Sequence, residues 1–573
     1  MKSLLLLPLL AATALTSASP PTAHTKNGTY LGRQLPSFAQ DLFLNIPYAH
    51  SPRLRNPIPL LTQSWPGLRS AEYYGPICPN FASAANMARA NVTGMDDECL
   101  NLNVIRPSDH RGEALPVVVW LYGGGFVDGF GADLNSNTSW LVQASVAQGQ
   151  PVMAVTLNYR VGFFGFPSGP EAAREGVTNL GLKDQRMALR WVRENIAAFG
   201  GDPGKVTLWG QSAGACSIAY HLMHPDRGEK LFDRGVLVSS STGLGNGFGV
   251  DGVAERRTWE RVVNASGCAT LECMRGMGRE ELRVAASGGM PVLAWWPSVD
   301  GETVVGDPTV VMGEGGMRAD VPVMVGENSD EGFVLTNNGR VYPETEEELR
   351  AALKGAFGRA GEGAIEELLR VYPEGGPVPP YALGPGEKET TMFCDEMDKA
   401  GLKCSRELRR LAGILGDNAL SYGRRLMMRK LAEKGGRVWS WRFDTWPTGF
   451  PIEPQYESAP GFAMHGADYA YHFGFPRDYE LYGNNPPVAD VPAHRALSKA
   501  MVARLIAFIH SGDPNKVPGT KAIPHWPQYS VKNPKNMVWN ATSTLNVHVE
   551  DDTFRKEGFD IWTKYPLELS YTR

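Results

Sequence analysis

Two kinds of apolar pattern alternate along the chain. Short unbroken runs at residues 116–121, 152–157, 206–209, 236–238, 321–325 and 438–443 have the character of strands covered on both faces, as in a parallel sheet. Residues 184–199 instead place Ala188, Leu189, Val192 and Ile196 on one stripe at helical spacing and stop at Gly200-Gly201, where a helix would end. This alternation predicts an α/β fold, a mostly parallel sheet with helices on both faces. Between Tyr30 and about Pro57 the pattern changes to alternating apolar and polar positions (Phe38, Leu42, Leu44, Ile46) broken by prolines, which predicts antiparallel strands at an edge. Thr345 and Glu348 have the spacing of a capping box, and residues 375–386 form a Pro/Gly-rich loop. Arg424, Arg425, Arg429 and Lys430 fall on one helix and are expected to form a solvated face.

A length of 573 residues would by itself allow several domains. No composition break divides it, so residues 19–573 are expected to form one catalytic domain. Residues 1–18 have one Lys, an apolar run and small residues at Thr16-Ser17-Ala18, the pattern of a secretory signal peptide cut after Ala18. No later run is long enough to span a bilayer, and Ser-Tyr-Thr-Arg at the C-terminus is neither a retention nor a lipid-anchor signal, so no stable membrane insertion is expected. The net charge of −5 and the lack of a basic tract argue against nucleic acid as a partner.

Secretion gives meaning to seven cysteines, an odd number in an oxidising compartment. Cys216, inside a helical stretch, is the expected free thiol, and the other six fall into sequence-local groups. Sequons start at Asn27, Asn91, Asn137, Asn264 and Asn540, and any that carry glycan must lie on the surface.

The candidate chemistry centres on Gly210-Gln211-Ser212-Ala213-Gly214, a Gly-x-Ser-x-Gly between an apolar strand and a helix, the context of a nucleophile elbow. With 64 glycines in the chain the pentapeptide alone carries little weight. Tyr122-Gly123-Gly124-Gly125-Phe126 follows a buried strand and leaves backbone N–H groups bare, which suits an oxyanion hole as well as an ordinary loop. A serine needs a base held by a carboxylate, and Glu331 and His465 follow two later strands in the order Ser, acid, His. Chemistry alone does not choose Glu331 over Glu327 or Asp330, nor His465 over His472.

The chain resembles the type-B carboxylesterase/lipase family, which includes the cholinesterases and secreted fungal lipases. The matching phrases run in order over nearly the whole chain: residues 43–49, Asp97-Glu98-Cys99-Leu100-Asn101-Leu102-Asn103-Val104, residues 122–126, Asn158-Tyr159-Arg160 and Asn179-Leu180-Gly181-Leu182-Lys183-Asp184-Gln185. They continue through Phe199-Gly200-Gly201-Asp202-Pro203, the Ser212 elbow, Pro297-Ser298-Val299-Asp300-Gly301, Asp330-Glu331-Gly332, His465-Gly466-Ala467-Asp468 and Ser511-Gly512-Asp513-Pro514-Asn515. The resemblance implies an α/β-hydrolase fold with long loop and helical insertions, and a secreted enzyme that cleaves carboxylic esters without cofactor or metal. It implies Ser212 as nucleophile, His465 as base and Glu331 as orienting acid, with the amides of Gly124, Gly125 and Ala213 as oxyanion hole. Tyr122, Phe126, Gln211, Trp295 and Trp296 are then candidate pocket residues, and Ser241 and Asp468 fall where the family keeps buried polar groups near the histidine. The implied disulfides are Cys78–Cys99, Cys268–Cys273 and Cys394–Cys404.

Two departures bear on the substrate. Gln211 stands where many relatives have Glu, and the loop from Cys78 to Cys99 has no Trp, so the carboxylate and aromatic that hold a quaternary ammonium are missing and choline esters are not expected. The same loop is the family's lid. Its apolar content (Phe81, Met87, Val92, Met95) is modest, which points to soluble small-molecule esters rather than emulsified triglycerides. An interfacial lipase or sterol esterase is the alternative with the same chemistry; a non-catalytic adhesion protein is the remote one. The sequence leaves monomer and homodimer equally open.

Overall fold

The computed structural model describes residues 19–60, 64–81, 87–88, 90–226, 228–241, 252–287, 295–339, 341–373, 405–445, 463–476, 488, 491–519, 523–541, 543–566 and 568–569. The first 18 residues, the 375–386 loop and the pair Cys394 and Cys404 lie outside them.

Among the described residues, eleven strands form one sheet. In chain order these are β1 (Arg33–Leu35), β2 (Gln40–Pro47), β3 (Asn101–Pro107), β4 (Leu115–Leu121), β5 (Met153–Leu157), β6 (Gly201–Gln211), β7 (Arg234–Val238), β8 (Val323–Asn328), β9 (Val438–Phe443), β10 (Lys535–Trp539) and β11 (His548–Asp551). The spatial order is β11-β10-β9-β8-β7-β6-β4-β5-β3-β2-β1. From β5 to β10 every neighbouring pair is parallel, and antiparallel pairs occur only at the two edges. The runs read as doubly covered are so: every residue of β4, β5, β8 and β9 is buried, as are residues 206–209 of β6 and 236–238 of β7. β8 sits further along than the sequence suggests, at Val323–Asn328 rather than 321–325, because the ladder with β9 extends to Asn328–Phe443. The alternation read into the first edge strands is also weaker than expected. In β2 even Gln40 and Asp41 are buried, Asp41 between Arg106 (3.1 Å) and Arg111 (2.8 Å).

Helix α1 (Leu180–Asn195) closes with a 3-10 turn, Ile196–Phe199, and a left-handed Gly200 at φ 88°, the conformation for which a glycine stop is suited. α2 (Ala213–Met223) follows β6 after one residue and is buried on every side, as its apolar sequence requires. The Thr345 capping box forms in full. Later helices are α3 (Leu408–Gly416), α4 (Tyr422–Glu433), α5 (Pro492–Ser511) and α6 (Lys556–Lys564).

One expectation fails on α4. Arg429 is exposed, but Arg424 is fully buried and Arg425 nearly so. Asp552 accepts from both, at 2.9 Å each, and Arg424 also pairs with Glu327 of β8 at 2.9 Å. Buried arginines need anions close by, and these anions lie far away in sequence, so helical spacing gives no sign of them.

Candidate active site

Steric exclusion shapes the elbow. Ser212 sits between β6 and α2 at φ 55° and ψ −122°, a strained position for a residue with a side chain. The flanking glycines are required by contact. A methyl at Gly214 would lie 2.0 Å from the Leu121 carbonyl oxygen, and one at Gly210 would lie 2.5 Å from the Gly214 carbonyl carbon. Helix and strands can approach this closely only without side chains.

The glycine loop after β4 lies against the elbow. A methyl at Gly123 would stand 2.6 Å from Gln211 Oε1 and 3.1 Å from Ser212 Cβ. Gly124 and Gly125 take φ values of 100° and 61°. The Gly124 carbonyl accepts from Val127 and Asp128 at 3.0 and 3.1 Å, which fixes the turn. Among the described residues the N–H groups of Gly124, Gly125 and Ala213 have no protein acceptor. Tyr122 lies beneath the loop, stacked on Tyr159 at 4.1 Å, each hydroxyl donating to the other residue's carbonyl.

The three open carboxylates separate cleanly. Glu331 is 1% exposed; its Oε2 accepts from His465 Nδ1 at 2.6 Å and its Oε1 from the Asn328 N–H at 2.6 Å. Glu327 faces Arg424 and Asp330 faces Arg555. His472 lies beside Asp468, 3.2 Å away, and not beside Glu331. With Nδ1 donating to Glu331, His465 Nε2 is free to accept. The Gln211 amide reaches it at 3.2 Å, so the ring nitrogen that would take a proton is directed to the residue before Ser212. Composition gave no hint of this contact, nor of the Asn328 amide on Glu331. Asn328 also donates to Ser239 (3.1 Å) and Asp468 (3.3 Å), and Asp468 and Ser241 are both buried.

Phe126, at φ 60°, packs edge-on against Trp296 at 4.8 Å, while Trp295 packs on Phe163 at 5.2 Å. Both tryptophans are buried, Trp296 nearer to the glycine loop. Disulfides join Cys78 to Cys99 and Cys268 to Cys273. Cys216 is free and buried, its thiol pushed up to about 12 by loss of hydration. Of the sequon asparagines, Asn91 and Asn264 are exposed, whereas the amides of Asn27 and Asn540 donate to Leu60 and Asp444 and Asn137 caps Ser139. Among the described residues no cluster of His, Cys, Asp or Glu is arranged to hold a metal, and no helix is long and apolar enough to cross a membrane.

Comparison with known proteins bears on the family and the fold. The profile of the carboxylesterase family matches residues 19–562. Lipase 4 of Diutina rugosa is 30% identical over 97% of this chain and 98% of its own. The secreted triacylglycerol lipase LIP1 of Gibberella zeae is 30% identical over 95% of this chain and 90% of its own. Among solved structures, Aspergillus niger EstA superposes with a TM-score of 0.77 at 24% identity, over 96% of this chain and 99% of that one, which supports the fold.

Proposed function

The chain belongs to the carboxylesterase family and is a secreted carboxylic ester hydrolase, and we propose that it works through an acyl-enzyme on Ser212, with residues 19–573 as one catalytic unit. In this reading His465 Nε2 takes the Ser212 proton as the oxygen attacks the ester carbonyl. Glu331 holds the imidazole in the tautomer that leaves Nε2 open and stabilises the imidazolium that forms. The amides of Gly124, Gly125 and Ala213 stabilise the tetrahedral oxyanion, each worth roughly 3–4 kcal/mol of barrier in comparable sites. The imidazolium then protonates the leaving alcohol, and water repeats the sequence on the acyl-enzyme.

The observation that carries the reading is the 2.6 Å Glu331–His465 contact on the far side of a ring whose other nitrogen faces the elbow. A fluorophosphonate probe should form a stable adduct on Ser212 of the wild-type protein and none on Ser212→Ala. Absence of labelling on folded wild-type protein would overturn it.

For the substrate, the reading is a soluble ester of short to medium acyl chain. Met87, Val92 and Met95 of the Cys78–Cys99 loop pack against the buried Phe130 and Ala132. Phe81, 40% exposed, is the one exposed large apolar side chain among that loop's described residues, little for a lipid surface to hold. The names of the Diutina and Gibberella relatives, a lipase and a secreted triacylglycerol lipase, favour a second reading, an interfacial lipase. The series p-nitrophenyl acetate, butyrate, octanoate and palmitate separates them. A kcat/KM maximum at short chains supports the esterase; a maximum at palmitate that rises once micelles form supports the lipase.

A further inference from the structure

The loops that carry Glu331 and His465 are joined by the residue next to the acid. The Asp330 N–H donates to the Ala463 carbonyl at 2.9 Å, and the Ala463 N–H donates back to the Asp330 carboxylate, at Oδ2, over 3.3 Å. The two strands of chain thus meet in a short parallel bridge at Asp330 and Met464. The second carboxylate oxygen, Oδ1, faces Arg555 Nη2 at 3.4 Å. That same nitrogen donates to the Ser329 carbonyl at 2.5 Å, and Nη1 is held by Asp417 at 2.6 Å. One buried carboxylate therefore has a guanidinium on one side and, on the other, the first amide of the described histidine loop, two residues before the imidazole.

Resting on the assignment of Ser212, Glu331 and His465 above, we propose that Asp330 is a positioning residue: its carboxylate fixes the His465 loop against Glu331 and so sets the direction of Nε2 towards Ser212. A charged carboxylate is the stronger acceptor for a backbone amide and the stronger partner for a guanidinium. When protonated, one oxygen becomes a donor and the hold on Ala463 weakens. A displacement of about 1 Å in a reacting group costs on the order of a hundredfold in rate, so modest slackening suffices.

Asp330 is also placed to change its charge in the working range. Burial is the largest influence and pushes its carboxyl up to about 7. Arg555 and Arg409 favour the charged form, and Asp444, held by Ser329 Oγ at 2.5 Å and by Arg442 at 2.9 Å, opposes it. Glu331 and His465 are the neighbouring ionisable groups on the two bridged loops.

The test compares Asp330→Asn and Asp330→Ala with wild type from pH 5.5 to 9, with kcat expressed per Ser212 labelled by a fluorophosphonate, so that misfolded protein is not counted. Asp330→Asn keeps an acceptor for Ala463 and loses the charge. The ratio of wild-type to Asn-variant kcat should be about tenfold at pH 8.5, with KM unchanged, and fall towards unity below pH 6 as the wild-type acid protonates. Asp330→Ala should lose on the order of thirtyfold or more at every pH. A ratio that is flat with pH, or an Ala variant as fast as wild type, would overturn the proposal. Failure of the probe to label wild-type Ser212 would instead overturn the nucleophile assignment beneath it.

Discussion

The two halves of the central sheet both lie in the core and are built from different materials. Around β4, β6 and β7 Ser212 is placed by the absence of side chains: Gly123, Gly210 and Gly214 let backbones meet where a methyl could not fit. Around β8, β9 and β10 the surroundings of Glu331 and His465 are built from buried charge. Arg424, Arg425, Arg442 and Arg555 face Glu327, Asp330, Asp417, Asp552 and Glu550 in a set of ion pairs behind Glu331. Sterics position the serine rigidly and locally. Charge instead ties segments distant in sequence into one loop cluster, and it makes that cluster responsive to pH.

Each half can be broken on its own terms. Ser212→Ala should lower kcat by on the order of 10⁵–10⁶ without changing the melting temperature, measured by single-turnover kinetics and calorimetry. Glu331→Gln should cost about 10³–10⁴, because the amide no longer secures the tautomer, with KM little changed. Asp552→Ala leaves the buried Arg425 without its anion and Arg424 with Glu327 alone, and should reduce stability by about 3–5 kcal/mol in urea titrations, with loss of activity following unfolding. Gly214→Ala should cost about 1–3 kcal/mol by overpacking and also lower kcat, since helix and elbow must part to admit the methyl.

The smallest expected effect is in acid stability. Arg424 and Arg425, acting against the cost of burial, hold the Asp552 carboxyl below its ordinary value. The unfolded chain then binds the proton more tightly, so the stabilisation is fully present above about pH 4 and is lost as pH falls through the folded value. Below pH 4 the urea midpoint of the wild type should therefore drop more steeply than that of Asp552→Asn. Equal slopes would mean that the charged half does not depend on this carboxylate.

The same contrast explains what could be read from the chain. The Gly-rich turns, the Ser212 elbow and the strand runs are local patterns, and they fold as local patterns suggest. Glu331 could not be separated from Glu327 and Asp330 by chemistry, because the distinction lies in partners far along the chain: His465 for one, Arg424 and Arg555 for the others. Arg424 and Arg425 misled for the same reason, since Asp552 is invisible to helical spacing. Gln211, notable in the sequence only as a missing carboxylate, is in the fold a contact of the base.

Arg555 has a consequence for how the protein is made. Translation delivers Ser212, then Glu331, then His465, and only after all three the Arg555 guanidinium that clamps Ser329, Asp330 and Asp417 together. A nascent or prematurely terminated chain can thus form the elbow while the acid loop stays unclamped. Hydrolytic competence would then arise only once the segment that carries Arg555 has emerged and docked, and not progressively as the chain grows.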